Sequence, residues 1–417
     1  MASERARKRV VVTGIGAITP IGSGREGLWR GVLEGRSSVK LIDRFDPAPF
    51  RSRVAAQVDD FDPLDHIEAS RARRLDRYSQ FAVAASQQAV IDSGLCLSRR
   101  DAEQTGVYLG SALGGLSFAE EQHSGYMGGG LRAVNNILAL TVFGSAASCN
   151  VAMEMGIFGP NQTNANSCAS GAVAIGEAYR LICDGRARVM LAGGVEAPLA
   201  PLTFGAFDII RALSSNSNGE PSLASRPFDL MRDGFVMAEG AAVLVLEEYE
   251  HARARGADAY AELLGYATTT DAYHMTAPRP DGAQAIRAMR EALDDAHVAT
   301  HEVGYISAHA SSTPLNDKTE TKAIKELFGE GAYSVPVSGT KAMHGHALGA
   351  TGAFEMAINC LALRHEYLPP TINLQHPDPE CDLDYIAGEG RHQRVDVILS
   401  NSFGFGGINA AIVIGRV

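Results

Sequence analysis

A chain of 417 residues with 46% apolar content has room for one large globular unit or two medium domains. Its formal net charge of −11 speaks against a general nucleic-acid or membrane-surface binder, and no apolar run is long enough to span a bilayer. Six scattered cysteines without a CxxC pair indicate neither a zinc ribbon nor a disulfide framework, so a reduced, cytoplasmic protein is expected.

The basic start, Met1 to Arg9, lacks the apolar core of a signal peptide. Val10-Val-Val-Thr-Gly-Ile-Gly16 predicts a buried strand running into a tight turn. Thr19-Pro20 stands where a dinucleotide fingerprint would place its third glycine, which argues against that reading. Arg71, Arg73, Arg74 and Arg77 make a basic cluster in an acidic protein, a pattern that usually marks a solvated helix face. A helix is predicted over 78–93, stopped by Gly94. Residues 105–115 predict another strand entering a glycine turn, and 117–160 show no clear pattern.

Cys168 closes the polar run Asn161-Gln-Thr-Asn-Ala-Asn-Ser-Cys168. Behind it, Ala172, Ile175, Tyr179 and Ile182 recur at helical spacing, with Gly185 as a stop. A lone cysteine is usually a structural one. This one stands where a loop becomes a helix, among small neighbours, and free backbone N–H groups with the helix dipole are expected to favour its thiolate.

The second half repeats the first. Val303–His309 parallels the strand near 107, Asp396–Asn401 parallels Arg188–Gly193, and Asn409–Ile414 parallels Gly240–Val245. Three pairs in the same order argue for an internal duplication of α/β layers forming one compact unit, with the midpoint near Tyr249–Asp258. His309 and His346 stand among small residues at predicted strand exits, where α/β sheets build sites. His344 and His346 form an HxH pair, but no further ligand motif supports a metal site.

The Cys168 motif, Asp271-Ala-Tyr-His-Met-Thr276, His309 with Ser311–Asp317, Thr340-Lys341, Gly345-His346, Gly349-Ala-Thr-Gly352 and Asn401-Ser-Phe-Gly-Phe-Gly-Gly407 together resemble the elongating, type II β-ketoacyl-acyl-carrier-protein synthases of the thiolase-like superfamily. The resemblance runs from Val10 to the C-terminus. It implies an α/β thiolase-like fold with two duplicated halves in five αβαβα layers. Residues 1–256 would carry the nucleophile and 257–417 the two histidines.

The implied reaction is a decarboxylative condensation of malonyl carrier protein with an acyl chain on Cys168, in fatty acid or type II polyketide elongation. By the same resemblance, Nε2–H groups of His309 and His346 stabilise the enolate, and Lys341, with Glu320 and Glu355 as ion partners, orients them. Backbone N–H groups of Cys168 and Phe403 hold the oxyanion, and Phe403 gates the site. Thr276, Ser311 and Thr313 are implied pantetheine contacts, and Leu113 and Phe207 acyl-pocket positions. Arg71, Arg73, Arg74 and Arg211 are implied carrier-protein docking positions. No bound cofactor or metal is implied, since phosphopantetheine arrives on the acyl carrier protein. The implied assembly is a homodimer, or the catalytic subunit of a heterodimer with a chain-length factor, without nucleic-acid or membrane partners.

Two departures stand beside the nucleophile and the pantetheine contact. Asn166-Ser167-Cys168 replaces the usual Thr-Ala-Cys, and His309-Ala310-Ser311-Ser312-Thr313 replaces His-Gly-Thr-Ser-Thr. They bear on the substrate rather than on the reaction.

Overall fold

The computed structural model describes residues 7–417, so the first six residues of the basic start lie outside the described residues. Ten strands build the frame. In the first half they are β1 Val10–Thr19, β2 Thr105–Gly110, β3 Asn161–Asn164, β4 Val189–Glu196 and β5 Gly240–Glu248. In the second they are β6 Ala261–Thr270, β7 Tyr305–Ser307, β8 Val337–Ser338, β9 Val397–Gly404 and β10 Ile408–Gly415.

Across the sheet the order is β8-β7-β9-β10-β6-β1-β5-β4-β2-β3. Outward from the centre, the first half runs β1, β5, β4, β2, β3 and the second runs β6, β10, β9, β7, β8. Both halves make two antiparallel steps and then two parallel ones. The three strand pairs matched in the sequence, β2 with β7, β4 with β9 and β5 with β10, hold equivalent places. The halves join where Val10–Val12 pair antiparallel with Ala261–Leu263.

Four helices complete the layers: α1 Arg77–Ser93, α2 Ser170–Cys183, α3 Ala283–Ala296 and α4 Thr351–His365. α1 covers β1, β5 and β4 from outside, and α3 covers β6, β10 and β9. α2 and α4 lie between the two halves and touch strands of both, which makes the five-layer αβαβα sandwich. The apolar stripe expected along α2 is therefore only part of its buried surface. Sheets on both sides bury nearly its whole circumference, Ser170 and Gly176 included.

Gly14 and Gly16 do not make the tight turn expected of them. β1 runs on to Thr19, and a Cβ on Gly16 would fall 1.8 Å from Ala85 O of α1. Their function is close helix packing. The unplaced 117–160 segment contains helices at Leu116–Gly129, Leu138–Thr141 and Ala146–Met155. Their pattern is obscured because Met127, Leu131 and Met153, with Phe158 beyond, face outward.

Candidate active site

Cys168 lies in a single 3₁₀ turn, Ser167–Ala169, that leads into α2. The residue is 7% exposed. The end of β9 presses against it: a Cβ on Gly404 would sit 3.2 Å from Cys168 N. Burial pushes the thiol up to about 11, opposed by the Ser167 hydroxyl and the Phe405 backbone N–H. The expectation of a resting thiolate is therefore corrected. Around the buried sulfur, lost hydration outweighs the helix start and favours the thiol.

His309 follows β7, and His346 follows the short helix Lys341–His344. Their rings lie 5.4 Å apart, nearly perpendicular, and His346 also packs edge-on against Phe235. Thr351, the first residue of α4, places its Oγ1 2.9 Å from His346 Nδ1. The backbone fixes His346 as well: its N–H donates to Val236 O at 2.7 Å and its carbonyl accepts from Ala238 N at 3.0 Å. Burial holds both imidazoles well below their ordinary range, and the nearby Lys341 ammonium adds to this. Both are neutral at physiological pH. His344 is held apart, with Nε2 3.0 Å from Thr340 Oγ1 and its ring against Phe354.

Lys341 is 1% exposed and pairs with Glu355 while donating to His309 O. Burial raises the Glu355 carboxyl to about 7, and Lys341 opposes that rise. Glu320 is not the second ion partner expected. Its carboxylate accepts from His309 N and Ala310 N, each at 2.8 Å, and from Asn401 Nδ2 at 3.1 Å. That grip suits a turn in which Ala310 takes φ 43°, a left-handed conformation costly for a residue with a side chain.

The sequence reading missed Glu196, fully buried at the end of β4. It accepts from Ser111 Oγ, Ala112 N, Leu113 N and Gly349 N at 2.7–3.1 Å. Burial raises it to about 7, against those four donors. It ties the 111–113 turn to the loop that carries His346. A charge ending an apolar strand in Gly193-Gly-Val-Glu196 was the available signal.

Phe403 also differs from expectation. It lies in β9, paired with Asn409, with its ring 5.8 Å from His309. The glycine turn begins after it, and Gly406 and Gly407 take φ 86° and 74°. Phe405 is the aromatic in that turn. Its N–H faces the Cys168 sulfur and its ring stacks on Phe207 at 6.2 Å. The backbone N–H facing the nucleophile sulfur is therefore that of Phe405, two residues beyond the Phe403 expected there.

A cavity of about 360 Å³ brings Cys168, His309, His346 and Phe403 together with Thr276, Ser311 and Thr313. Ser311 Oγ lies 2.9 Å from Thr313 Oγ1. Leu113 and Phe207 do not line this space but pack on the apolar cluster around Cys168, Phe235 and Leu348. Arg211 lies at the cavity. Arg71, Arg73 and Arg74 do not. Arg71 is engaged by Glu154 at 3.0 Å, while Arg73 and Arg74 are exposed.

The model of the β-ketoacyl synthase N-terminal domain matches residues 7–252, and that of the C-terminal domain matches 260–375. The chain belongs to the β-ketoacyl synthase family. This synthase is 47% identical over 406 residues to the 3-oxoacyl-[acyl-carrier-protein] synthase 2 of Synechocystis sp., covering 97% of each chain. It is 43% identical over 411 residues to that of Coxiella burnetii, covering 99% of each. Among solved structures it resembles a type II polyketide ketosynthase in complex with its acyl-carrier protein and bound to a hexaketide. That likeness has TM-score 0.91 and 39% identity, over 99% of this chain and 100% of that one. It also resembles the ishigamide ketosynthase/chain length factor, with TM-score 0.92 and 35% identity over 99% and 100%.

Proposed function

We propose that this synthase joins a malonyl unit on an acyl carrier protein to an acyl chain held on Cys168, releasing carbon dioxide and a 3-oxoacyl carrier protein. The observation that carries the reading is one cavity lined by a cysteine and two neutral histidines in a family of β-ketoacyl synthases. Cys168 takes the acyl chain as a thioester. With the ring proton on Nε2 and Nδ1 accepting from the Thr351 hydroxyl, His346 would offer an N–H to the enolate oxygen that decarboxylation creates, and His309 a second. Lys341 fixes the His309 carbonyl. N–H groups of Cys168 and Phe405 hold the oxyanion when the carbanion attacks the thioester. No cofactor or metal enters these steps, because the pantetheine arm comes with the substrate. Thr276, Ser311 and Thr313 would contact that arm.

Incubation with acyl carrier protein should add one acyl mass to the Cys168 peptide, and malonyl carrier protein should then discharge it as the 3-oxoacyl product. A protein that stays unmodified across a panel of acyl carrier proteins but accepts coenzyme A thioesters overturns the reading.

The assembly is a pair with a related subunit, a second copy or a chain-length factor. Met127, Leu131, Met153 and Phe158 are between 62% and 82% exposed, and the outer edge of β3 has no strand partner among the described residues. Among those residues no helix is long and apolar enough to cross a membrane. A cytoplasmic setting is proposed because all six cysteines are unpaired.

Carrier docking is proposed at the basic positions. The protein is acidic overall, and at physiological salt the Debye length is about 8 Å, so local charge decides. Reversing Arg73 and Arg74 to Glu is expected to raise the KM for carrier-protein substrates several-fold and to flatten its salt dependence. Turnover of a small pantetheine-mimic thioester should be unchanged. Equal harm to both substrates, or none to either, places docking elsewhere.

A further inference from the structure

We propose that Ser167 is a further residue of the acyl-transfer step, its hydroxyl stabilising the Cys168 thiolate as it forms. The inference rests on the reading of Cys168 as the acyl acceptor.

Three observations meet at this side chain. Its Oγ lies 3.9 Å from Cys168 Sγ, within reach of a sulfur hydrogen bond, and the sulfur is its one side-chain or backbone partner among the described residues. Its backbone is left-handed, at φ 54°. A residue with a Cβ adopts that conformation at a cost, and it holds the side chain where an extended residue would not. Its carbonyl is taken by Ser170 Oγ at 2.7 Å, which pins the turn. The sulfur needs such a donor. Cys168 is buried, both imidazoles are neutral, and the apolar wall of Phe204, Phe235, Met237 and Leu348 offers it nothing polar. The Phe405 N–H is the other donor within reach, and it is also required for the carbonyl oxygen under attack.

In the step itself the Cys168 S–H loses its proton and the sulfur attacks the carrier thioester carbonyl. A new C–S bond forms to Cys168, the bond to the pantetheine sulfur breaks, and that sulfur leaves with the proton. Ser167 gives a hydrogen bond throughout and no proton. Once the sulfur is acylated it is a poor acceptor, and Ser167 acts again only when condensation expels the Cys168 sulfur as a thiolate.

The test compares Ser167→Ala, Ser167→Gly and Ser167→Thr with the parent. Alkylation of Cys168 by iodoacetamide is followed by peptide mass spectrometry across pH. Ala and Gly variants should both react about threefold more slowly at neutral pH, with the profile displaced to higher pH. The loss is held near that size because a less acidic thiol gives a more nucleophilic thiolate. Glycine relieves the left-handed backbone and alanine does not, so an equal effect assigns the loss to the hydroxyl. Threonine should restore the parent profile. In pre-acylated variants, release of carbon dioxide from malonyl carrier protein, a step in which the sulfur takes no charge, should proceed at the parent rate. Superimposable alkylation profiles overturn the proposal, as does a decarboxylation defect in pre-acylated enzyme equal to the alkylation defect. Alkylation reports on the thiol alone, so it decides the matter even if no carrier protein is a substrate.

Discussion

Cys168→Ala is expected to lose acyl transfer and condensation by at least about a thousandfold, because no other group can form the thioester. Malonyl carrier protein should still lose carbon dioxide in this variant. The enolate oxygen is met by His309 and His346, and neither depends on the sulfur: His346 is held by Thr351, Val236 and Ala238, and His309 by Glu320 and Lys341. The decarboxylation should also be flat between about pH 6 and pH 8. Burial and Lys341 hold both imidazoles well below 6.5, so the protonation state of both rings is constant across that window and changes only on its acid side. Carbon dioxide release from malonyl carrier protein, measured at several pH values, checks both statements. A fall centred near pH 6.5 would show that an imidazole titrates there. Complete loss of decarboxylation in Cys168→Ala would tie the sulfur to the enolate.

The second large effect belongs to the histidines. His309→Ala or His346→Ala should each reduce decarboxylation about 10²- to 10³-fold, the usual scale for one donor aimed at a developing oxyanion in a dry site. The double variant should fall to background and not to the product of the two, since both donors serve one oxygen. Acyl loading of Cys168 should survive in all three, and it serves as the check that they are folded. Normal decarboxylation in the double variant would refute the paired assignment. Loss of loading together with decarboxylation would mark the histidines as supports of the site and not its donors.

The frame and the reacting trio were legible because they leave local signals. Apolar strands repeat in the same order, and Cys168, His309 and His346 stand in small-residue runs at element ends. The errors occur where a residue's part is set by something distant in the chain. Glu320 looked like a partner for a buried lysine, yet nearly two turns into the helix Pro314–Phe328 it reaches back to accept the N–H groups of His309 and Ala310. Phe403 and Phe405 are two residues apart, and only the end of the β9–β10 pairing at Gly404 says which belongs to the strand and which to the turn. The strands β3 and β8 went unread because one is four polar residues and the other is only Val337-Ser338. The thiolate expectation failed for a related reason. A helix start can be seen in sequence, but the desolvation that opposes it depends on Phe204, Phe235, Met237 and Leu348 arriving from elsewhere.

The two middle helices are separated at their starts by bare backbone. A Cβ on Gly171 would fall 2.8 Å from Gly349 O, and one on Gly194 would fall 2.5 Å from the same atom. The spacer between the nucleophile's turn and the His346 loop is thus a fixed gauge block of main chain, with no rotamer to loosen it. Machinery set by such a block accepts new work only by retooling its jaws. The side chains that line the cavity from the turn carrying Phe405 and from the 276–279 rim lie outside that block. A lineage, or an engineer, seeking a longer or more oxidised chain would retune those parts and leave the gauge untouched.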